Sequence, residues 1–381
     1  MQLSPQVSPS HQSAKSERLA SLDLFRGVAI ACVFLLHAFE AAFGRATLPW
    51  RGWLPDVSLS SANAPILFLY PLTLGGWGVP LFFVISGFCI HLSANRQPEG
   101  GLRGFFSRRL FRIYPPYVVV LLFFALVWPA TRTSLHSDWG RTQIVSHLLL
   151  VHNFGNATFF GINPSFWSIA VEAQLYVLYP VLLVLVRRFT WRRTLVGLGL
   201  FEFMARLLMG LYFSLSENPP PAWLSENPFV HWFSWSLGAV LAEAHLREKP
   251  LPLASSPPLL WAGALLVSTL LRPLSMLTFL FGALLAANLL ARALAARSAP
   301  QGWWVRHLQT AGLCSYSIYL CHEPLMEALA NWLPALPGGG YARLLVLVAV
   351  WAGLVPLGLL LYRVLEKPGI RLGQAWRRRT A

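Results

Sequence analysis

The chain alternates long apolar runs with short polar connections, and the length of the runs decides the class of fold. Stretches of about twenty apolar residues, long enough for a helix to cross a hydrocarbon layer, fall at 24–43, 77–93, 113–130, 166–186, 194–214, 229–246, 257–271, 274–295, 310–332 and 342–362. The pattern predicts an all-α, polytopic transmembrane bundle of about ten spans, with no soluble domain. The longest connection, 131–165, contains "IVSHLLLVHNF", whose apolar core is too short to cross and is expected to re-enter or to lie at the interface. The expected organisation is a disordered cytoplasmic tail over 1–20, a transmembrane domain over 21–366 and a basic cytoplasmic tail over 367–381.

Composition supports this and charge refines it. Of 381 residues, 55% are hydrophobic and 12% charged, about half the charged fraction of an ordinary soluble domain. The net charge of +15 does not point to nucleic acid, because the basic residues lie in short loops between apolar runs and not along one soluble face. With the N-terminus in the cytoplasm, the inner loops carry runs such as Arg103, Arg108, Arg109, Arg112 and Arg187, Arg188, Arg192, Arg193. The outer loops then carry only Arg45, Arg51, Arg132, Arg141 and Arg272. That asymmetry predicts both termini inside. The first apolar run has no small-residue cleavage site, so it is expected to stay as a signal anchor in the cell's inner (plasma) membrane. Cys32, Cys89, Cys314 and Cys321 all sit in apolar runs without CxxC spacing; they read as packing residues, with no metal site.

The first run, "LDLFRGVAIACVFLLHAFE", carries Asp23, Arg26, His37 and Glu40, although ionisable groups inside a membrane are costly. Arg26 and His37 are eleven residues apart, roughly three turns plus 20° and roughly 16 Å along the axis, so they share a stripe. Asp23 and Glu40 lie close to it. Such a stripe must face the bundle interior or a wet cavity. For Arg26, snorkelling to the inner surface weighs equally with function. His37, deep in the span beside an acid, favours function as a general base.

Other charged or polar groups fall at matching depths. Glu172, in "SFWSIAVEAQLYVLYP", is placed about as deep as His37 and is expected to orient its ring or stabilise its imidazolium, against the alternative of a structural carboxylate held by Arg206 or a tyrosine. Glu202 and Arg206, four residues apart, read as a structural pair. Ser86, in "GWGVPLFFVISGFCIHL", lacks the setting of a nucleophile elbow. Arg108, Arg109 and Arg112 can share one helical face before Pro115. They read either as a solvated positive-inside loop or as a site for a phosphorylated ligand from the cytosol. His91, His147, His152 and His231 read as satisfied core histidines.

Five stretches in order, "LDLFRGVAIACVFLLH", "GWGVPLFFVISGFCI", "RRLFRIYP", "SFWSIAVEAQLY" and "SYSIYLCHEP", resemble the integral-membrane acyltransferases of family three, which include O-antigen, exopolysaccharide and macrolide O-acyltransferases. The resemblance implies that Arg26, His37, Arg108, Arg109 and Arg112 are functional. The expected enzyme takes an acyl group, acetyl first, from cytosolic acyl-CoA as co-substrate, with no bound cofactor. The CoA phosphates would lie on Arg108, Arg109 and Arg112 and the pantetheine arm would pass Arg26. His37 would activate a hydroxyl of a glycan, a lipid-linked sugar or another small alcohol, either for direct transfer or through an acyl-histidine. His322 with Tyr316 or Tyr319 is expected on the acceptor side, against a bland core role for the histidine. The alternative, a secondary transporter using the charged stripe as a path, lacks the inverted repeat common in that class.

Overall fold

A computed structural model describes residues 9–44, 69, 71–96, 101–296, 300–333 and 339–380, and among these there is no strand. Among the described residues, thirteen helices of at least ten residues follow one another. They are α1 (Pro9–Phe43), α2 (Gly78–Arg96), α3 (Gly101–Leu122), α4 (Asp138–Leu148), α5 (Phe166–Ser216), α6 (Trp232–Leu246) and α7 (Pro258–Leu270), then α8 (Thr278–Ala295), α9 (Trp303–Leu313), α10 (Ser315–Trp332), α11 (Gly339–Ala349), α12 (Trp351–Leu361) and α13 (Lys367–Thr380). Six helical stretches among the described residues are long and apolar enough to cross a membrane: Ser21–Phe43, Pro71–Arg96, Gly101–Val127, Phe166–Ser216, Arg272–Ala295 and Gly339–Arg377. The expected spans at 166–186 and 194–214 are joined in α5 and separated by a break at Thr190, whose φ of 70° and ψ of 159° are not helical.

The backbone is already helical from Pro9, and the C-terminal residues form α13. That helix packs on α3, with Trp376 against Phe111 at 6.0 Å and the Arg103 guanidinium 5.2 Å over the Trp376 ring. Residues 1–8, and Arg45 and Arg51, which are expected in an outer loop, lie outside the described residues.

Small residues bring α1 into the middle of the bundle, where it contacts α2, α9, α10 and α11. A Cβ on Gly27 would sit 1.9 Å from the Leu308 carbonyl oxygen of α9, and one on Gly312 would sit 1.8 Å from the Asp23 carbonyl oxygen. The α1–α9 crossing is therefore backbone against backbone, as in membrane helix pairs that rely on close packing. Gly87 and Gly238 do the same for α2 and α6, each facing a backbone oxygen of the other helix at 2.0 and 1.8 Å. Inside α5, Arg206 donates to Glu202 at 3.0 Å, to the Val230 carbonyl and to His231, and Ser234 completes the carboxylate's bonding. This pair is structural, as its spacing predicts. Both side chains are buried, and stranding either charge would be costly.

Segment 131–165 folds as α4, a 3-10 turn at His152–Phe154 and a single helical turn at Asn156–Phe159. None of these is long enough to span. His147 and His152 stack with ring centroids 3.9 Å apart and 5° between planes, both fully buried. Burial pushes His147 down to about 4 and His152 to about 2 from an ordinary 6.5. Neither folded ring takes a proton where the unfolded chain does. Stability is therefore full above pH 6.5 and falls as pH drops toward 4, by up to about 1.4 kcal/mol per pH unit for each ring. Thermal midpoints in detergent are expected to decline over that window, and His152→Gln should flatten the decline. An unchanged slope in that variant would remove the stacked pair as its cause.

Candidate active site

Two cavities lie at the two ends of the α1 stripe, labelled inner at the Arg26 end and outer at the His37 end after the expected orientation of the chain. The inner one encloses about 850 Å³ of empty space, its mouth included, and takes its walls from α1, α2, α3, α5 and α10. Arg26 reaches into it, donating from Nη1 to Asp23 at 3.0 Å and from Nη2 to Cys89 Sγ at 3.1 Å. Arg109 and Arg112 line the same wall. Arg109 is buried, and its Nε and Nη2 have no hydrogen-bond partner among the described residues. Buried donors of this kind are rare unless a ligand completes them. Arg108 does not line the cavity; the charge acting on it from α13 is Arg377. The three-arginine face expected from spacing is thus divided, two residues inward and one toward the C-terminal helix.

The outer cavity, with about 480 Å³ of empty space, is lined by His37, Glu40, Ala41, Glu323, Met326 and Glu327 of α1 and α10. His37 Nδ1 lies 2.7 Å from Glu40 Oε2 and 3.8 Å from Glu323 Oε1. Donation from Nδ1 to a carboxylate leaves Nε2 with the lone pair a base needs. Pro324 explains how Glu323 is held. Proline has no N–H, so the Leu320 carbonyl one turn back loses its helical donor. Asn163 supplies the replacement, donating to that oxygen at 2.9 Å. Its own Oδ1 accepts the Ser165 N–H at 3.1 Å, and the Ser165 hydroxyl donates to Glu323 in a short bond. The end of segment 131–165 is thereby fastened beside the histidine.

Three expectations need correction. Glu172 is not the partner of His37: it opens on the inner cavity with Arg26, where the Tyr176 hydroxyl donates to it at 2.6 Å. Equal depth puts the two residues at similar heights but cannot tell which face of α5 turns toward which cavity. Tyr316 also lines the inner cavity and not that of His37, its hydroxyl donating to the Ile113 carbonyl at 2.9 Å. Cys89 is more than packing, since it lines that cavity against Arg26. His322 stands between the cavities, fully buried, its ring 5.1 Å from that of His37 and 5.2 Å from that of Tyr319. Its Nδ1 donates to the Tyr319 carbonyl at 2.9 Å, and its Nε2 has no partner among the described residues. Tyr319 and Ser168, hydrogen-bonded at 2.7 Å, line the inner cavity at this boundary. His91 and His231 are satisfied core residues, bonded to Glu243 and Tyr179 and to Arg206 and Glu226 respectively. No group of three or more His, Cys, Asp or Glu able to hold a metal occurs among the described residues.

A helical membrane protein with a basic cavity and a histidine–carboxylate cavity at the two ends of one helix has the layout of a group-transfer enzyme. Similarity to known proteins specifies which group. The chain belongs to acyltransferase family three, whose acyltransferase-domain model matches residues 19–363. It is 27% identical to the acyltransferase MdmB of Streptomyces mycarofaciens, over 93% of this chain and 92% of that protein. It is 30% identical to a Staphylococcus aureus protein provisionally named an O-acetyltransferase, over 35% of this chain and 26% of that one. A match to a Caenorhabditis elegans protein named regulator of hypoxia-inducible factor 1 is 28% identical and covers 47% of this chain and 36% of that protein. No solved structure matches significantly. The protein is a multi-pass membrane acyltransferase that moves groups other than aminoacyl groups.

Proposed function

We propose that the protein is an O-acyltransferase that receives acyl-CoA in the inner cavity and delivers the acyl group to a hydroxyl bound in the outer one. The observation that carries this is the pair of cavities bridged by the ring contacts Tyr319–His322–His37, one with a buried arginine short of partners and the other with a carboxylate-bound histidine. The CoA phosphates bind Arg109 and Arg112, and the pantetheine arm runs past Arg26 toward Tyr319. His37 Nε2 takes the acceptor's hydroxyl proton as the oxygen attacks the thioester carbonyl. The C–S bond breaks with its electron pair on sulfur, and the proton finally rests on the CoA thiol. Glu40 and Glu323 stabilise the imidazolium in between. Glu172 holds Tyr176 and balances the inner arginines.

Ten crossings are proposed, with both termini cytoplasmic in the inner membrane. The Lys and Arg asymmetry and the two halves of α5 support that count. The name of the Staphylococcus relative makes acetyl the first donor to try. A glycan, a lipid-linked sugar or a small alcohol is the acceptor class.

Membrane vesicles of defined orientation test the chemistry and the sidedness together. Radiolabelled acetyl-CoA is expected to give a base-labile ester in inside-out vesicles and far less in right-side-out ones. Equal labelling in both orientations would overturn the sidedness. Failure of acetyl-, succinyl- and short branched acyl-CoA to label any of the three acceptor classes in either orientation would overturn the donor assignment.

A further inference from the structure

Cys89 stands apart from the other three cysteines. Cys314 and Cys321 are buried and donate to backbone carbonyls of their own helical turns, at 3.3 Å to Thr310 and to Ser317, and neither these nor Cys32 lines a cavity described above. Cys89 lines the inner cavity, with Arg26 Nη2 3.1 Å from its sulfur. A cysteine beside a guanidinium in an open cavity has the setting in which thiols attack disulfides. A second observation is independent of the sulfur. Arg109 on the same wall is 9% exposed, and its Nε and Nη2 lack partners among the described residues, so the cavity is built to hold an anion. A cavity-lining thiol beside an anion site selects reagents that carry both a negative charge and an electrophilic sulfur.

We propose that Cys89 is a thiol–disulfide exchange site for mixed disulfides of CoA with small thiols, and that its modification closes the donor cavity. The proposal rests on the inner cavity accepting CoA. The Cys89 thiolate attacks the CoA-side sulfur, the S–S bond breaks, a Cys89–S–S–CoA bond forms, and the small thiol leaves with the electron pair. The proton first carried by Cys89 ends on that thiol. The incoming disulfide is the oxidant, so no other is required. The attached CoA then occupies the position of the donor until a reductant releases it. A transferase that draws on the CoA pool would in this way respond to the oxidation state of that pool.

The test uses the full-length protein in nanodiscs and two probes with the same leaving group, the 2-pyridyl disulfide of CoA and the neutral 2-hydroxyethyl 2-pyridyl disulfide. Release of thiopyridone gives the rate and peptide mass spectrometry gives the site. The CoA probe is expected to label Cys89 on the order of ten times faster than the neutral one, with the advantage shrinking in high salt. Acyl transfer should fall in step with labelling and return on adding dithiothreitol. Cys89→Ser should take no CoA adduct, and Cys32→Ser should label like the parent. Equal rates for the two probes, an adduct at another cysteine, or an S-acyl group on Cys89 after incubation with acyl-CoA would each overturn the proposal. The two readings fail differently. If only the exchange site is wrong, untreated protein transfers acyl groups while Cys89 shows no preference for the CoA probe. If only the donor role is wrong, the preference remains while acyl-CoA gives no transfer.

Discussion

His37→Ala is expected to cut turnover on the order of a hundredfold or more while donor binding stays close to that of the parent. The basis is the separation of the two cavities. His37 lines only the outer one, roughly 16 Å along α1 from Arg26. Its removal takes away the proposed base without touching the groups that line the proposed donor cavity. Glu323→Gln should cost less, on the order of tenfold, because Glu40 remains 2.7 Å from the ring. Glu172→Gln should instead weaken donor binding, since Glu172 shares the inner wall with Arg26. Loss of His37 leaves Glu40 and Glu323 without the imidazolium, so folding has to be checked by thermal melts, with His37→Gln as the variant that restores a polar partner. The measurement is single-turnover transfer and acyl-CoA binding on purified proteins. Normal transfer by a folded His37→Ala protein would remove the histidine from the mechanism, and equal losses in binding and turnover would merge the two cavities into one.

Much of this architecture is legible in the pattern of residues. Length and apolarity alone indicate a helical membrane bundle, and the spacing of Arg26 and His37 puts both on one stripe of α1 facing the interior, without showing that the stripe serves two cavities. Helical period fixes which residues of one helix share a face, but it says nothing about which neighbour that face meets. Depth alone therefore pairs Glu172 with His37, whereas the rotation of α5 turns it toward Arg26. Glu323 is open to inspection, next to His322 in "CHEP", yet its importance depends on Pro324 freeing a carbonyl and on Asn163 reaching across from a distant connection. Such long-range satisfaction of backbone groups leaves no local periodic signal. Tyr319 and Ser168 belong to the same kind, ordinary span residues until their hydroxyls meet at 2.7 Å.

Arg109→Gln and Arg112→Gln should each raise the donor KM on the order of tenfold, with turnover at saturating acyl-CoA largely kept, whereas Arg108→Gln should change it by no more than about threefold. Spacing along the chain gives no reason to rank the three. The structure does, because Arg109 and Arg112 line the inner cavity and Arg108 does not. Arg109 carries the stronger expectation, since two of its buried nitrogens have no partner among the described residues and a phosphate would satisfy them. A charge-assisted hydrogen bond at a desolvated site is worth about 1.5–3 kcal/mol, which corresponds to roughly one to two decades in affinity. High salt should weaken binding to the parent in the same direction, and less for the Arg109 variant, from which part of the electrostatic attraction has already gone. An acyl-pantetheine donor lacking the nucleotide separates recognition from folding: its transfer rate should be nearly the same in all three variants. The measurement is donor titration by equilibrium binding and initial rates with both thioesters. If Arg108→Gln lost as much as Arg109→Gln, or if the truncated donor suffered equally, the arginines would be holding the α3–α13 corner together and the phosphates would have to bind elsewhere.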